Sequence, residues 1–389
     1  MPYTALVSAP PQVPRSAAQP RFRRTHEFWQ RVSEGRNLDI LWGEFAADAR
    51  ASYGFYGKDV DWEQMKGMPQ WRRPLHIAKQ FFWALALKLS PARRVLLVLA
   101  LVFLAISSLT FHANEHTAFE IDLRLIAGVL LLVLLSLELA DKVIMKRDLE
   151  IAREIQSWLV PSLPPQVPGA DIAFATRPQN SVAGDYYDAF YPGTKRNKLL
   201  VVIADVAGKS IPAALLMATL QASLRTIAGE EMQLGDMVLR LNRYASAHSL
   251  DGRRFTTAVL AEYDLTTRRM IYVNAGHNPP ILRKADGTLE KLETGGMPLG
   301  ITAQATYETA EIQLAPGDAL IFYTDGVVEA FNQQNEEYGN PRWLAAIRAL
   351  PEVSAEESLR GLMRQVDAFV GTTRQSDDIT CLIFRASRQ

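Results

Sequence analysis

Apolar and polar positions divide the chain into three textures. Residues 1–20 carry five prolines among Ala and Ser with no continuous apolar core, which reads as a disordered tail rather than a signal peptide. Residues 21–90 are mixed and aromatic-rich, as in Phe28-Trp29 and Trp42-Gly43-Glu44-Phe45, and suggest short helices without evident chemistry. Two strongly apolar stretches follow. Val95 to Phe111 is a 17-residue run without charge; Leu125 to Leu137 is 13 uncharged residues, extending to Ile121–Ala140 if charges near its ends are admitted. About 20 residues cross a bilayer and about 17 is the lower bound, so residues 95–140 predict a two-helix transmembrane hairpin rather than a buried helix pair. Lys88, Arg93 and Arg94 precede the first stretch, Lys142, Lys146 and Arg147 follow the second, and His112 to Glu120 has no Lys or Arg. The positive-inside rule then places both termini in the cytoplasm of a multi-pass protein.

The second stretch continues as helix through Trp158, until Pro161, Pro164 and Pro165 stop it. Leu137, Ile144, Ile151 and Trp158 recur every seven residues, with Asp141 and Asp148 interrupting the seam and Ile155 supporting it. Residues 141–165 therefore read as a helical connector that either forms a homodimer or lies on its own domain. Beyond, residues 166–389 turn to short strands: Ile172–Thr176, Leu199–Ala204, Thr257–Tyr263, Met270–Asn274, Ala319–Tyr323 and Ile379–Phe384. Asp264–Thr267 and Asp286-Gly287 carry hairpin-turn chemistry. Helices are expected over Ile211–Ile227 with Ser210 as N-cap, Met232–Ala247 and Ala355–Val370. The pattern is that of an α+β domain with layered antiparallel sheets.

Charge narrows the choices. The 42 basic and 42 acidic residues cancel, without the basic excess expected of a nucleic-acid binder. A single cysteine, Cys381, excludes an internal disulfide framework and a multi-cysteine zinc site; it reads as a small buried residue of the last strand.

The chemistry lies in four acidic segments at strand ends: Gly184-Asp185-Tyr186, Ala204-Asp205-Val206, Thr324-Asp325-Gly326 and Asp377-Asp378-Ile379. Each alone has an ordinary explanation as a turn or cap. Together, strand ends meeting in one sheet would gather carboxylates whose repulsion a hard divalent cation relieves. Two such ions activate water for attack on a phosphomonoester, and Asp205 is the best candidate for a carboxylate they share. Gly208-Lys209-Ser210 imitates the end of a phosphate-binding loop, but the position five residues before Gly208 is Ile203 and the glycine cradle is absent.

With Ile155-Gln156 and Asn274-Ala275-Gly276-His277-Asn278-Pro279-Pro280, these segments make residues 150–385 resemble the SpoIIE-type branch of the PPM metal-dependent protein serine/threonine phosphatases. The resemblance implies a PPM phosphatase-like β-sandwich flanked by helices, with two Mn²⁺ or Mg²⁺ ions at one end. By position it makes Asp185, Asp205, Asp325 and Asp377 metal ligands, with the backbone carbonyl of Val206, and places Asp378 behind them. Asp185 and Asp205 would serve catalysis through metal-activated water. His277 is a candidate proton donor, set against a structural role in its turn. Ala183 and Ser210 stand where the family usually has glycine; this branch commonly lacks the phosphate-gripping arginine of its eukaryotic relatives, and Arg177 and Arg254 are the guesses for that role. The implied activity is removal of phosphate from phosphoserine or phosphothreonine on a regulatory protein, such as an anti-sigma-factor antagonist, at a bacterial inner membrane whose bilayer is the second partner. The alternative is a membrane-tethered module that keeps the fold and binds without catalysis.

Overall fold

The computed structural model describes residues 73–106, 108–114, 117–230, 232–249 and 254–387. The tail read over 1–20 and most of the region read over 21–90 lie outside the described residues. The chain forms two compact units, Met1–Ala140 and Asp141–Gln389.

In the first unit, α1 (Arg73–Lys88) is followed by α2 (Pro91–Ile106), a hairpin of β1 (Ser108–Asn114) and β2 (Thr117–Asp122), and the start of α3 (Leu123–Leu159). Two expectations change here. The first apolar stretch is helical only to Ile106, because Ser108 to Phe111 pair with Phe119 to Asp122 in the antiparallel hairpin. At 1.5 Å per residue the 16-residue α2 covers about 24 Å, short of a hydrocarbon core of about 30 Å. Among the described residues one helix, α3, is long and apolar enough to cross a membrane. Only 17% of its most apolar 18-residue stretch is buried, which argues against the core helix of a soluble bundle. Arg93 on α2 ion-pairs with Glu138 on α3 at 2.9 Å.

The 37-residue α3 confirms a continuous helix from the second apolar stretch to the proline turn, and its part beyond Ala140 belongs to the second unit. The heptad residues Ile144, Ile151 and Trp158 are exposed. After α3 come β3 (Ala170–Arg177), β4 (Tyr186–Phe190), β5 (Lys198–Val206), α4 (Ser210–Ile227), α5 (Leu234–Ala247), β6 (Thr256–Asp264), β7 (Arg269–Ala275), β8 (Ile281–Arg283), β9 (Leu289–Lys291), β10 (Gly295–Gly296), β11 (Ala310–Gln313), β12 (Ala319–Tyr323), α6 (Asp325–Val328), α7 (Gly339–Arg348), α8 (Ala355–Val370) and β13 (Ile379–Ala386).

Two sheets form, one in the order β10-β7-β6-β5-β4 with β11 on β7, the other β3-β13-β12-β8-β9. All pairings are antiparallel except β10 with β7. The inner faces meet through Leu199, Val201, Ile203, Val259, Phe322 and Leu382, with Tyr263 and Phe384 edge to face at 4.8 Å. On the outer face of the first sheet, Met217, Leu220, Leu224, Met237 and Leu241 of α4 and α5 pack against Leu200, Val202 and Leu260. On the other outer face, Trp343, Ile347, Leu359, Leu362 and Val366 of α7 and α8 cover Ile321, Cys381 and Ile383. The result is the four-layer helix–sheet–sheet–helix sandwich that the alternating strands and amphipathic helices require. Cys381 is buried in β13, as expected.

The N-terminus of α4 differs from expectation. Ser210 is its first residue, at φ 64°, and Lys209 precedes it in extended conformation without a side-chain cap. A non-glycine residue in the left-handed region is strained, so Ser210 occupies a backbone conformation that suits glycine.

Candidate metal centre

Strand pairing decides which acidic residues meet. Tyr186 of β4 pairs with Ala204 of β5, so Asp185, just ahead of β4, lies beside Asp205 and Val206 at the end of β5. Tyr323 of β12 pairs with Cys381 of β13, so Asp325, just after β12, lies beside Asp377 and Asp378, just ahead of β13. The sheets are joined at this end by Thr324, whose Oγ1 donates to Asp185 Oδ2 at 3.0 Å, and by Gly184, whose N–H donates to Asp378 Oδ2 at 2.6 Å. All five aspartates expected at the site are brought to one end of the sandwich.

Two glycines permit this approach. A Cβ on Gly184 would stand 3.2 Å from the Val206 carbonyl oxygen and 3.3 Å from Ala213 Cβ. A Cβ on Gly326 would stand 1.9 Å from the carbonyl oxygen of Asp378, an impossible distance, so only glycine lets the turn after β12 lie against the 377–378 loop.

The cost of this grouping is visible in proton affinity. Asp185 is held well above the ordinary carboxylate range, first by burial and then by the charges of Asp205 and Asp378, while hydrogen bonds from Thr380 and Thr324 oppose the shift. Asp205 is pushed to about 7 by burial and by Asp325, Asp377 and Asp378, against a hydrogen bond with Asp185. Asp325 is raised by burial and Asp377, and Asp378 by burial, with backbone N–H donors at Gln179 and Gly184 lowering it. Glu329, near the same end, is raised by burial and by Asp325. Desolvated like charges relieved by few donors are the electrostatic signature of a cation site.

The oxygens are grouped without being aimed at one point. Asp377 Oδ2 takes the Lys209 ammonium at 2.9 Å, and its Oδ1 accepts from Asp378 N at 2.9 Å. Asp378 turns both oxygens to backbone, accepting from Gln179 N at 2.7 Å and from Gly184 N. Among the described residues no three His, Cys, Asp or Glu side chains stand ready to hold an ion as they are. Repulsion between bare carboxylates and the donors on hand account for that splay. The donor set fits a hard divalent cation: it is all oxygen, over-charged, and open beside Asp377.

His277 is close by but buried. Its Nδ1 lies 2.8 Å from Thr257 Oγ1, Asn274 brackets its backbone through both amide atoms, and its Nε2 has no hydrogen-bond partner. Burial depresses it to about 4, so it is neutral near pH 7 and has no proton to spare for a leaving group beyond its single ring N–H. That geometry favours the structural role in the β7–β8 turn. Arg177 is paired to Asp367 through two of its guanidinium nitrogens, and Arg254 lines a cavity of about 120 Å³ with Leu216, Leu220 and Tyr244 and sets its Nη1 2.8 Å from where a Cβ on Gly208 would stand.

Three contributors escaped sequence reasoning. Lys209 read as a false phosphate-loop lysine. Thr324 was a neighbour of an aspartate without its own signal. Gln156 stands out in the sequence only as part of a motif; its amide clamps Ala183 from both sides, Nε2 to Ala183 O at 2.7 Å and Ala183 N to Oε1 at 2.9 Å.

A two-sheet sandwich with paired helices on both faces and acidic strand ends at one edge is the architecture of the PP2C-like, or PPM, phosphatases. The SiaA-PP2C domain of Pseudomonas aeruginosa superposes on 63% of this chain and 98% of its own length with a TM-score of 0.56 at 20% identity, a likeness of fold. Within that class the C-terminal unit is similar to the SpoIIE family: residues 195–387 match the family described as stage II sporulation protein E. Phosphoserine phosphatase RsbU of Bacillus subtilis is 30% identical over 185 residues, 47% of this chain and 54% of RsbU. Protein IcfG of Synechocystis is 28% identical over 263 residues, 60% of this chain and 41% of IcfG. The chain thus spans about half the length of these named relatives.

Proposed function

We infer that the C-terminal unit is a metal-dependent protein phosphatase that hydrolyses phosphoserine or phosphothreonine on a regulatory protein. One observation carries this reading: Asp185, Asp205, Asp325, Asp377 and Asp378, drawn from four distant segments, share one end of the sandwich with proton affinities raised by burial and mutual repulsion. Asp185, Asp205, Asp325 and Asp377, with the Val206 carbonyl, would hold two Mg²⁺ or Mn²⁺ ions, which supply a hydroxide-like nucleophile at neutral pH and neutralise the phosphate. Asp205, central to the cluster, would bridge them. Asp378 keeps the Asp185 loop in place through Gly184 and Gln179. Thr324 orients the Asp185 carboxylate.

The name of the relative RsbU, a phosphoserine phosphatase, supports a substrate of that chemistry, and an anti-sigma-factor antagonist is the proposed type. The apolar, exposed faces of α2 and α3 support a bilayer, that of a bacterial inner membrane, as the first unit's surroundings. The exposed seam of Ile144, Ile151 and Trp158 supports a homodimer through α3.

The deciding experiment compares p-nitrophenyl phosphate hydrolysis by the purified chain and by Asp205→Asn, with Mn²⁺ and with EDTA. Wild-type turnover that needs Mn²⁺ and vanishes in the variant is expected. Equal rates in both proteins would leave a binding module in place of an enzyme.

A further inference from the structure

Carboxylates offer no donor to the outer oxygens of a phosphoryl group, and the transferring group carries charge on three of them, more than cations alone need cover. Arg177 is committed to Asp367, and Arg254 sets its guanidinium against Gly208, on the turn before α4, with the rest of its surroundings between α4 and α5. Lys209 is placed differently. It stands in the turn between β5, which ends in Asp205-Val206, and α4. Its Nζ lies 2.9 Å from Asp377 Oδ2 and 2.8 Å from the Ser376 carbonyl oxygen, and its charge lowers the proton affinity of Asp325 and Glu329. Its side chain is 53% exposed, against 36% for Asp377, so the ammonium is at the mouth of the cluster where a substrate must enter.

We propose, resting on the phosphatase reading above, that Lys209 is the residue that grips the phosphoryl group of the substrate. Without cations the ammonium serves as a counter-charge on Asp377. An ion taking Asp377 as a ligand competes for the same Oδ2. Lys209, still anchored near Ser376, then presents its N–H groups to an oxygen of the phosphomonoester. During hydrolysis a water oxygen forms a bond to phosphorus, the bond from phosphorus to the serine or threonine oxygen breaks, and a proton from solvent water completes the alcohol. Lys209 keeps its proton throughout and contributes charge alone. Arginine's wider, planar fork would serve in part; a neutral amide of similar reach would not.

The test uses the full-length protein in detergent with Lys209→Gln and Lys209→Arg. Calorimetry gives Mn²⁺ affinity without phosphate, then affinity for inorganic phosphate at saturating Mn²⁺; kcat and KM are measured with p-nitrophenyl phosphate. In Lys209→Gln we expect phosphate binding weakened about 10- to 100-fold, the loss of one charge-assisted contact, with Mn²⁺ binding unchanged or tighter because a competitor for Asp377 is gone. Lys209→Arg should recover part of the phosphate affinity. Phosphate binding equal to wild type in Lys209→Gln overturns the role while leaving the phosphatase reading intact. Parallel loss of Mn²⁺ and phosphate binding overturns it in favour of a structural lysine. A wild-type protein that neither hydrolyses the ester nor binds phosphate with Mn²⁺ overturns both.

Discussion

The side-chain amide of Gln156 and the backbone of Ala183 satisfy each other, donor to acceptor in both directions, at 2.7 and 2.9 Å. This fastens the long helix to the loop two residues before Asp185, and the next residue of that loop, Gly184, holds Asp378. A change in the position of α3 is thereby felt at two carboxylates. Gln156→Leu keeps the size and removes both partners, leaving an amide and a carbonyl unpaired at a local cost of about 1–3 kcal/mol. We expect Mn²⁺-dependent hydrolysis to fall at least about tenfold while the melting temperature drops only a few degrees. Ile151→Pro, which breaks the helix upstream, should also alter activity in membranes. Rates within twofold of wild type for both variants would remove α3 from the control of the site.

Gly326→Ala tests the close approach on the other side. The added methyl would meet the Asp378 carbonyl carbon and oxygen at 2.9 and 1.9 Å, and backbone atoms cannot swing aside as a flexible side chain can. The turn carrying Asp325 must separate from the 377–378 loop. Overpacking of this kind costs roughly 3 kcal/mol, or roughly 6–12 °C in melting temperature for a unit of this size. Differential scanning calorimetry reads the loss, and activity should be abolished with it.

Asp205→Asn should give opposite results in two assays. Asp205 is pressed by Asp325, Asp377 and Asp378, so removing its charge relieves repulsion in the cation-free protein. In EDTA at pH 8 the variant should melt above wild type. With Mn²⁺ the wild type should gain stability as its site fills, while the variant gains less and loses at least about 100-fold in hydrolysis, beyond the 10- to 100-fold typical for groups that merely support a ligand. A variant less stable than wild type in EDTA would contradict the electrostatic account.

How far the residues announced this arrangement depends on how each element is stabilised. The strand Ala319–Tyr323 and the helix Ala355–Val370 lie where their apolar spacing put them, because each buries one unambiguous face. β4 was missed because all five of its residues are buried and one is Asp188, held inside by Tyr186 Oη at 2.7 Å and Arg225 at 2.6 Å, so no alternation survives. β8 to β11 are two to four residues long and owe their conformation to neighbouring strands. The helix ending at Ile106 was unreadable from an apolar run that continued to Phe111, since pairing with β2, not composition, ends it. The aspartates stood out because each sits where an apolar strand stops. Lys209 did not, because its meaning comes from Asp377, distant in sequence and adjacent in space.

Acid strength fixes a pH dependence for the cation-free protein. Asp205 binds its proton up to about pH 7 when folded, against an ordinary value near 3.8, and Asp185, Asp325 and Asp378 shift the same way. From about pH 4 to 7 the folded state therefore holds more protons than the unfolded one, so these groups make stability fall as pH rises through that window and level off above it. Cations bind the ionised carboxylates, so their stabilisation should grow over the same range. Thermal melts in EDTA and in Mg²⁺ at pH 5, 6, 7 and 8 should diverge progressively. Parallel curves would mean the carboxylates are not the groups that respond.

Ser210 supplies a stability prediction independent of the cations. Its φ of 64° lies in the left-handed region, where a side chain costs about 1–2 kcal/mol, and the residue in the cap position of α4 is Lys209, not the serine. Glycine adopts that conformation freely, but it also gains freedom in the unfolded chain, which takes back part of the benefit. The net for Ser210→Gly should be a gain of roughly 0.5–1 kcal/mol, or roughly 1–4 °C in melting temperature. Because Lys209 is the preceding residue, relief at 210 should also let the turn settle without moving the ammonium from Asp377, so hydrolysis should stay within about twofold of wild type. A loss of stability in this variant would show that the serine hydroxyl makes a contact worth more than the strain, and the left-handed turn would then owe its form to that contact.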